Sequence, residues 1–309
     1  MDNTAQNDNP LLETDQELEG NQDMVHFTWD GEEQSCVPGQ SLESLLDPAQ
    51  KFSENPILLV KINGHIGELW HEPQEGDCIL SLPLSSAEGN RAYERGLLHT
   101  LIRAAKDVLP GCKVVVEHSI VSGLYCEIEA QEPLTPFDVD RVGRKMRQFV
   151  DEDTPFERRL LDKNDAIRLY TNSGQEEKAR LLAFREDQQF KVYEAGGYSD
   201  YFYGHMPPST AYLQRFRLVY EMPGLILLFP QVSNLKQPLT FDTPRKLLHV
   251  FRESERWARI LECRTVADLD ELAQDEERLK EFILINEARH DAELHDIARQ
   301  IEGSHARLV

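Results

Sequence analysis

The segment Tyr198 to Tyr212 concentrates side chains that can stack on a flat ligand or bind a metal. It reads YSDYFYGHMPPSTAY, so tyrosines and Phe202 surround a glycine and His205, and two adjacent prolines follow. Tyrosine rings offer flat faces with hydroxyl tips, imidazole is a metal ligand, and prolines fix the path of a loop. Three interpretations arise from these residue types: a metal site, a ligand-stacking loop, or a well-packed turn.

A second set of polar side chains recurs at helical spacing. Arg95, His99 and Arg103 stand at i, i+4 and i+8, which places them on one face of a helix. Three long polar side chains cannot all be buried without partners, so they should face solvent or a ligand. His118, near the end of a predicted strand, is a further candidate for the same site.

Together the two sets predict a cleft with the aromatic segment as one wall and the helix as the other. Guanidinium, imidazole and tyrosine groups suit an anionic or planar ligand, such as a small nucleotide-like or aminoacyl compound. The competing interpretation is that the aromatic rings only pack the domain, and the sequence leaves both open. The predicted cleft residues are Arg95, His99, Arg103, His118, Tyr201, Tyr203 and His205.

Composition restricts the class of protein. The chain has 309 residues and a net charge of −22, which disfavours non-specific binding of bulk nucleic acid. It has no apolar run of membrane-spanning length and no signal-peptide pattern, so we expect no membrane partner. Its five cysteines never occur as C-x-x-C, which predicts a reducing cytoplasm without a disulfide framework. Residues 1–23 carry seven acids and no lysine or arginine, so they are predicted to be a disordered tail.

Turn signals organise the first part of the chain. Asp30-Gly31 and Asn63-Gly64 each separate two β-prone runs, which is typical of tight hairpins. A short helical pattern lies between the two hairpins, and the run DCILSLPL provides a further strand. This order within about sixty residues predicts a β-grasp (ubiquitin-like) domain over 24–84.

Helices and strands then interleave from residue 88 to 232. Apolar residues at helical spacing predict helices over 90–109, 135–150 and 166–184, and strand-like runs stand between and after them. No βαβ repeat is present, which indicates an α+β domain. Residues 233–309 are predicted to form a linker followed by helices.

Several stretches resemble one known family. INGHIGEL, VEHSIVSGLYCEIE, SDYFYGHMPPSTAYL and LINEARHDAELHDIARQI occur in an order similar to the N-terminal half of bacterial uridine (nucleoside) kinases. In that family a TGS domain of β-grasp fold and a domain like the second additional domain of threonyl-tRNA synthetase precede a P-loop kinase domain. The resemblance implies a TGS-like domain over 24–84, a synthetase-type α+β domain over 88–232, and a helical C-terminal segment leading to a kinase domain.

A phosphate-binding loop of the G-x-x-x-x-G-K-[ST] type is missing, because none of the seventeen glycines is followed by lysine. Such a loop supplies the N–H groups and the lysine that hold nucleotide phosphates. The resemblance therefore implies an accessory, regulatory or substrate-presenting region of a uridine kinase-like protein, without phosphotransfer of its own. We expect no cofactor in this chain. ATP and Mg²⁺ are expected only with a kinase domain, present in cis or on a neighbouring chain.

The synthetase-type domain also permits a comparison of motifs. Threonyl-tRNA synthetases carry H-x-x-x-H on the first helix of this domain and C-x-x-x-H on a later loop. Arg95 and His99 take the two helix positions here. Phe202 and Met206 take the two loop positions, and His205 lies one place out of register. Because arginine and phenylalanine are not metal ligands, we expect neither a metal nor a catalytic residue. The alternative function is a free-standing RNA- or tRNA-related or protein-interaction module with a degenerate editing cleft.

Overall fold

An α+β fold with three sheets accounts for the described part of the chain. The computed structural model describes residues 24–120, 123–241 and 245–304. The tail predicted over residues 1–23 lies outside the described residues.

The first sheet is mixed and has five strands. Its order is β2-β1-β5-β3-β4, with β1 and β5 parallel and the other neighbours antiparallel. One buried apolar cluster, which includes Phe27, Val60 and Leu69, supports it. The elements of this part are β1 (Val25–Trp29), β2 (Glu32–Cys36), α1 (Leu42–Leu45), a 3₁₀ turn (Pro48–Phe52), β3 (Ile57–Ile62), β4 (His65–Gly67) and β5 (Cys78–Pro83).

Positive backbone angles form the two hairpin turns. Asp30 and Gly31 have φ values of 52° and 90°, and Asn63 and Gly64 have values of 50° and 89°. Positive φ at both central residues is the geometry whose twist matches that of the flanking strands. The Asx-Gly pairs therefore set the register of both hairpins.

Two more sheets follow the first. One has three strands in the order β10-β9-β8, and the other has four in the order β11-β12-β7-β6, all antiparallel. The elements are α2 (Ala87–Val108), β6 (Lys113–Ile120), β7 (Gly123–Glu129), α3 (Pro136–Asp151), β8 (Glu157–Asp162), α4 (Lys163–Asn172), α5 (Glu176–Phe184), β9 (Gln189–Ala195), β10 (Tyr198–Tyr201), a 3₁₀ turn (Thr210–Tyr212), β11 (Arg217–Glu221) and β12 (Gly224–Leu228).

The helix α2 is the central element of the main core. It begins at the N-cap Ser86, whose hydroxyl accepts a hydrogen bond from the Gly89 N–H at 3.0 Å. Its buried residues pack together with α3 and with one face of the four-stranded sheet, which contributes Cys126. Leu58 and Leu84 of the first part enter the same cluster, so α2 also holds the first sheet in place.

Two predictions for the middle of the chain are corrected by the structure. The helix predicted over 166–184 is two helices, α4 and α5, because the chain turns at Gly174 with φ of 69°. The aromatic segment is more regular than a loop, since it contributes the strand β10 and a 3₁₀ turn. β10 pairs with β9, which fixes the position of the aromatic residues that follow.

Three helices close the described chain: α6 (Arg245–Ile260), α7 (Val266–Leu272) and α8 (Glu276–Ser304). The helix α6 lies near the other face of the four-stranded sheet, where Phe251 stacks on His118. No residue of α8 is buried. Among the described helices, none is long and apolar enough to cross a membrane.

Candidate functional site

The aromatic segment packs directly against α2 at His99. The His99 side chain is 0% exposed, and three aromatic rings enclose it. Its ring centroid lies 5.1 Å from Tyr198, 5.3 Å from Phe156 and 6.0 Å from Phe202. The prediction of a cleft between the segment and the helix is therefore corrected at His99, because aromatic rings occupy the space beside its imidazole.

Burial determines the charge of His99. Neither ring nitrogen has a hydrogen-bond partner of standard geometry among the described residues, and both are inaccessible to solvent. Loss of solvation lowers the pKa of His99 to about 4, although the nearby Asp200 carboxylate and the backbone of Tyr193 and Tyr198 oppose the shift. The imidazole is therefore neutral at neutral pH and cannot reach a ligand from this position.

The two arginines of the stripe lie against glycines of the facing segments. Arg95 donates a hydrogen bond to the carbonyl oxygen of His205 at 2.9 Å, and a Cβ on Gly204 would lie 2.5 Å from its guanidinium carbon. Arg103 stacks on the ring of Phe149 at 3.6 Å, and a Cβ on Gly196 would lie 2.3 Å from its guanidinium carbon. Both side chains thus have structural contacts that hold the segment against the helix.

His118 does not belong to this site. It pairs across the strands with Tyr125, on the face of the four-stranded sheet that faces α6. Its ring stacks on Phe251 with centroids 3.9 Å apart. The prediction that His118 faces the same cleft as α2 is corrected, because a single bulge in β6 and the alternation of strand faces place it on the opposite side of the sheet.

The tyrosines of the segment have different environments. Tyr201 packs edge-on against Phe190 with centroids 5.9 Å apart, as part of the small core beneath α4 and α5. Tyr203 is 83% exposed. His205, two residues further along the chain, lies with Nδ1 3.6 Å from a carboxylate oxygen of Glu68. Within the segment, the stretch from Tyr203 to His205 therefore offers groups to a ligand.

Glu68 is the residue that sequence analysis missed. It follows β4 and is buried where the first sheet meets β9 and the aromatic segment. Its carboxylate accepts hydrogen bonds from the hydroxyl of Tyr193 at 2.5 Å and from the N–H of Met206 at 3.0 Å. A third comes from the indole of Trp70 at 2.6 Å. The sequence contains one indication of this role. Glu68 is an acidic residue at the end of a predicted hairpin, directly before the apolar pair Leu69-Trp70.

The carboxylate of Glu68 is held in its charged form. Burial alone raises the pKa of Glu68, but the contact with His205 and the hydrogen bonds from Tyr193, Met206 and Trp70 outweigh it and leave the pKa below its usual value. Arg158 adds a positive charge 3.5 Å from the carboxylate. A fixed negative charge therefore orders the loop that carries Tyr203 and His205.

Exposed and partly exposed side chains lie near this buried carboxylate and on the loop that it holds. We define the aromatic–arginine rim as Trp70, Arg158, Tyr203 and His205. Trp70 is 47% exposed, and the guanidinium of Arg158 lies 4.5 Å from its ring centroid. The rim combines flat apolar faces with cationic and imidazole groups, so it can stack on a planar group and attract an anion.

One group of carboxylates elsewhere has the geometry of a cation site. Glu117, Glu127 and Glu255 bring oxygens within 4.8 Å of one another, and no other such group occurs in the described part of the chain. Arg259 lies 3.1 Å from Glu127, and Arg264 lies within 4.0 Å of both other acids. Because arginines already pair with these carboxylates, the cluster joins α6 to the sheet rather than forming a metal centre.

Comparison with known proteins finds threonine–tRNA ligases among the relatives of this chain. A scan against protein-family models finds no match. A threonine–tRNA ligase of Maricaulis maris is 29% identical over 192 residues, which is 60% of this chain and 29% of that protein. Those of Desulforamulus reducens and Oceanobacillus iheyensis are 27% and 26% identical over 57% and 62% of this chain. The matched part spans less than a third of the length of each relative.

These relatives support one part of the family resemblance and overturn another. The chain contains a region similar to threonine–tRNA ligases. The prediction of a uridine kinase-like accessory function is wrong, because the curated relatives are threonine–tRNA ligases and none of those described is a kinase.

Proposed function

We propose that this chain is a non-catalytic, tRNA-related module that binds the single-stranded end of an RNA. The observation that carries the proposal is the aromatic–arginine rim. In it, exposed Trp70 donates a hydrogen bond to the buried Glu68, and exposed Tyr203 lies on the loop whose Met206 N–H donates to the same carboxylate. The relatives are named as threonine–tRNA ligases, so a tRNA end is the RNA that the comparison favours.

The chemistry of the rim suits unpaired bases. Single-stranded RNA is recognised largely by stacking of splayed bases on aromatic rings and on guanidinium planes. Trp70 with Arg158 above it supplies one such stack, and Tyr203 supplies a second exposed ring. The partly exposed guanidinium of Arg158 adds hydrogen-bond donors for a phosphate.

The net charge restricts the mode of binding. At −22, the chain repels a long duplex, whose phosphates would meet acidic surface around any local site. A short single-stranded end contributes few phosphates, so its binding should depend weakly on salt. The proposal therefore concerns a terminal segment of RNA and not bulk nucleic acid.

The proposal includes no hydrolysis. The position of Phe202 and Met206 in the loop supplies no ligand or base, and Arg95 is bound to the carbonyl of His205. His99 is enclosed and neutral. These observations support a module that holds RNA without cleaving an aminoacyl ester.

The proposal retains the predicted division of the chain. A TGS-like β-grasp domain over 24–84 supplies Glu68 and Trp70, and a synthetase-like domain over 88–232 supplies Arg158, Tyr203 and His205. The rim would then lie where the two domains meet.

A binding experiment tests the function. We expect deacylated tRNA with a 5′ fluorophore to bind in an anisotropy titration, and a blunt RNA duplex of equal length to bind more weakly. Tyr203→Ala should weaken tRNA binding at least about fivefold, since one base–aromatic stack contributes roughly 1–3 kcal/mol. Phe137→Ala is the matched control, because Phe137 is also exposed (66%) but lies on α3.

The outcomes separate the interpretations. Loss of affinity in Tyr203→Ala and Trp70→Ala with an unchanged control supports RNA binding at the rim. If wild type binds neither RNA at low salt, the proposed function is overturned. Equal affinity of wild type and Tyr203→Ala would place any RNA binding elsewhere on the surface and would also overturn the proposal.

A further inference from the structure

The strand β11 presents an open edge. It is the outermost strand of the four-stranded sheet, and β12 is its only partner within the described residues. No backbone–backbone hydrogen bond joins Arg217–Glu221 to any other described segment. The strand reads RLVYE and contains neither lysine nor proline, the residues that commonly block an edge.

The register of the hairpin decides which backbone groups point outward. Glu221 of β11 pairs with Gly224 of β12 across a two-residue turn. The two residues that flank such a turn exchange backbone hydrogen bonds with each other, so the backbone groups of Glu221 point towards β12. Hydrogen-bonded and non-hydrogen-bonded pairs alternate along antiparallel strands. Leu218 and Tyr220 therefore direct their N–H and C=O groups away from the sheet.

We propose that β11 is the dimerisation element of this chain and pairs with β11 of a second copy. The two strands would run antiparallel about a two-fold axis at Val219, which joins the two four-stranded sheets into one of eight strands. In this register Leu218 lies opposite Tyr220 of the second copy. The backbone N–H and C=O groups of both residues point out of the sheet, so the two residues can exchange hydrogen bonds. Four backbone hydrogen bonds result, two on each side of the axis.

The charges of the strand are self-complementary in the same register. Arg217 lies opposite Glu221 of the second copy, and by symmetry the pair occurs twice. The side chain of Arg217 now donates only to the carbonyl oxygen of Leu239, at 3.2 Å, and has no carboxylate partner in the described part of this acidic chain. Glu221 accepts from Arg252 at 3.0 Å and retains capacity for a second cation.

Space for the apolar residues of the second copy lies beside the edge. A groove of about 470 Å³ runs between α3 and β11 and is lined by Val139, Leu218 and Tyr220 among others. Leu218 and Tyr220 lie on the face of the sheet that packs on α3. Tyr220 of the second copy, opposite Leu218, would enter this groove and cover apolar surface.

A charge exchange tests the proposal. Sedimentation velocity over a concentration series should show a monomer–dimer equilibrium for the full chain. Arg217→Glu places two glutamates opposite each other at both pairs, so the dissociation constant should rise roughly tenfold. The double variant Arg217→Glu/Glu221→Arg restores opposite charges and should recover most of the lost affinity.

The control has the same change in net charge. Arg168→Glu alters an exposed position on α4 and should leave the equilibrium unchanged. A chain that is monomeric at every concentration overturns the proposal. So does a dimer that Arg217→Glu leaves intact, or one that this variant breaks and the double variant fails to restore while its circular dichroism remains that of wild type.

Discussion

The enclosure of His99 by aromatic rings changes what that residue can do. A histidine on the polar stripe of a helix should be exposed and titrate near 6.5, whereas His99 is fully buried and has a pKa of about 4. Phe202, which stands at one of the loop positions compared in the sequence analysis, supplies one of the enclosing rings. At this scale a predicted site residue is part of the core.

The buried imidazole predicts a specific loss of stability in mild acid. Between pH 6.5 and about 4 the unfolded chain binds a proton at His99 and the folded chain does not, so stability is complete above 6.5 and falls as the pH decreases through this window. The total loss is on the order of 3 kcal/mol. His99→Leu should remove this component, so the difference in unfolding free energy between wild type and variant should change by about 2 kcal/mol from pH 7.5 to 4.5.

Urea denaturation at several pH values measures this difference. Groups other than His99 titrate in both proteins and cancel in the comparison. A constant difference between wild type and His99→Leu across the whole range would contradict the buried, neutral state of the imidazole.

At the scale of elements, contacts between α2 and the facing turns position the segment that carries Tyr203. Gly196, in the turn between β9 and β10, has φ of 56° and lies against Arg103. Arg103 in turn stacks on Phe149 of α3. The guanidinium of Arg103 thus joins the turn, α2 and α3. It lies so close to Gly196 that a methyl group at that position would clash with it.

Gly196→Ala should therefore cost more stability than an alanine at another left-handed glycine. The matched control is Gly174→Ala, because Gly174 has φ of 69° and a Cβ added there would have no atom within 4 Å. Both variants lose about 1–2 kcal/mol from backbone strain. Gly196→Ala should lose about 1 kcal/mol more, because it displaces Arg103 from Phe149. Equal losses in chemical denaturation would contradict the contact.

At the scale of the whole molecule, buried contacts are distributed unevenly. The main core joins α2, α3, the four-stranded sheet and two leucines of the first part. The helix α8 has 29 residues, about 43 Å in length, and none of them is buried. Its described contacts include the guanidinium of Arg289 4.6 Å from the ring of Trp257.

Removal of α8 should leave the remaining fold nearly as stable as before. A chain that ends at Asp275 loses no buried residue of the described core, so its melting temperature should stay within about 2 °C of that of the full chain. Differential scanning calorimetry measures the change. A decrease of more than about 5 °C would show that α8 contributes substantially to the core.

The sequence by itself determined the features that depend on neighbours along the chain. The Asp30-Gly31 and Asn63-Gly64 turns, the amphipathic helix α2 and the α+β class follow from local backbone preferences and from the period of apolar residues, and the structure confirms them. That Phe202 cannot ligate a metal is likewise a property of residue type.

Tertiary structure alone decided which side chains meet. Arg95, His99 and Arg103 do share a helix face, but the face packs on glycines and aromatic rings that come from about 50 to 110 residues away in sequence. Glu68 meets Tyr193 and Met206 across more than a hundred residues. His118 lies on the other side of its sheet, because a bulge and strand pairing set its direction. Helical or strand periodicity specifies a direction relative to the local axis, and only the packing of distant segments specifies what lies in that direction.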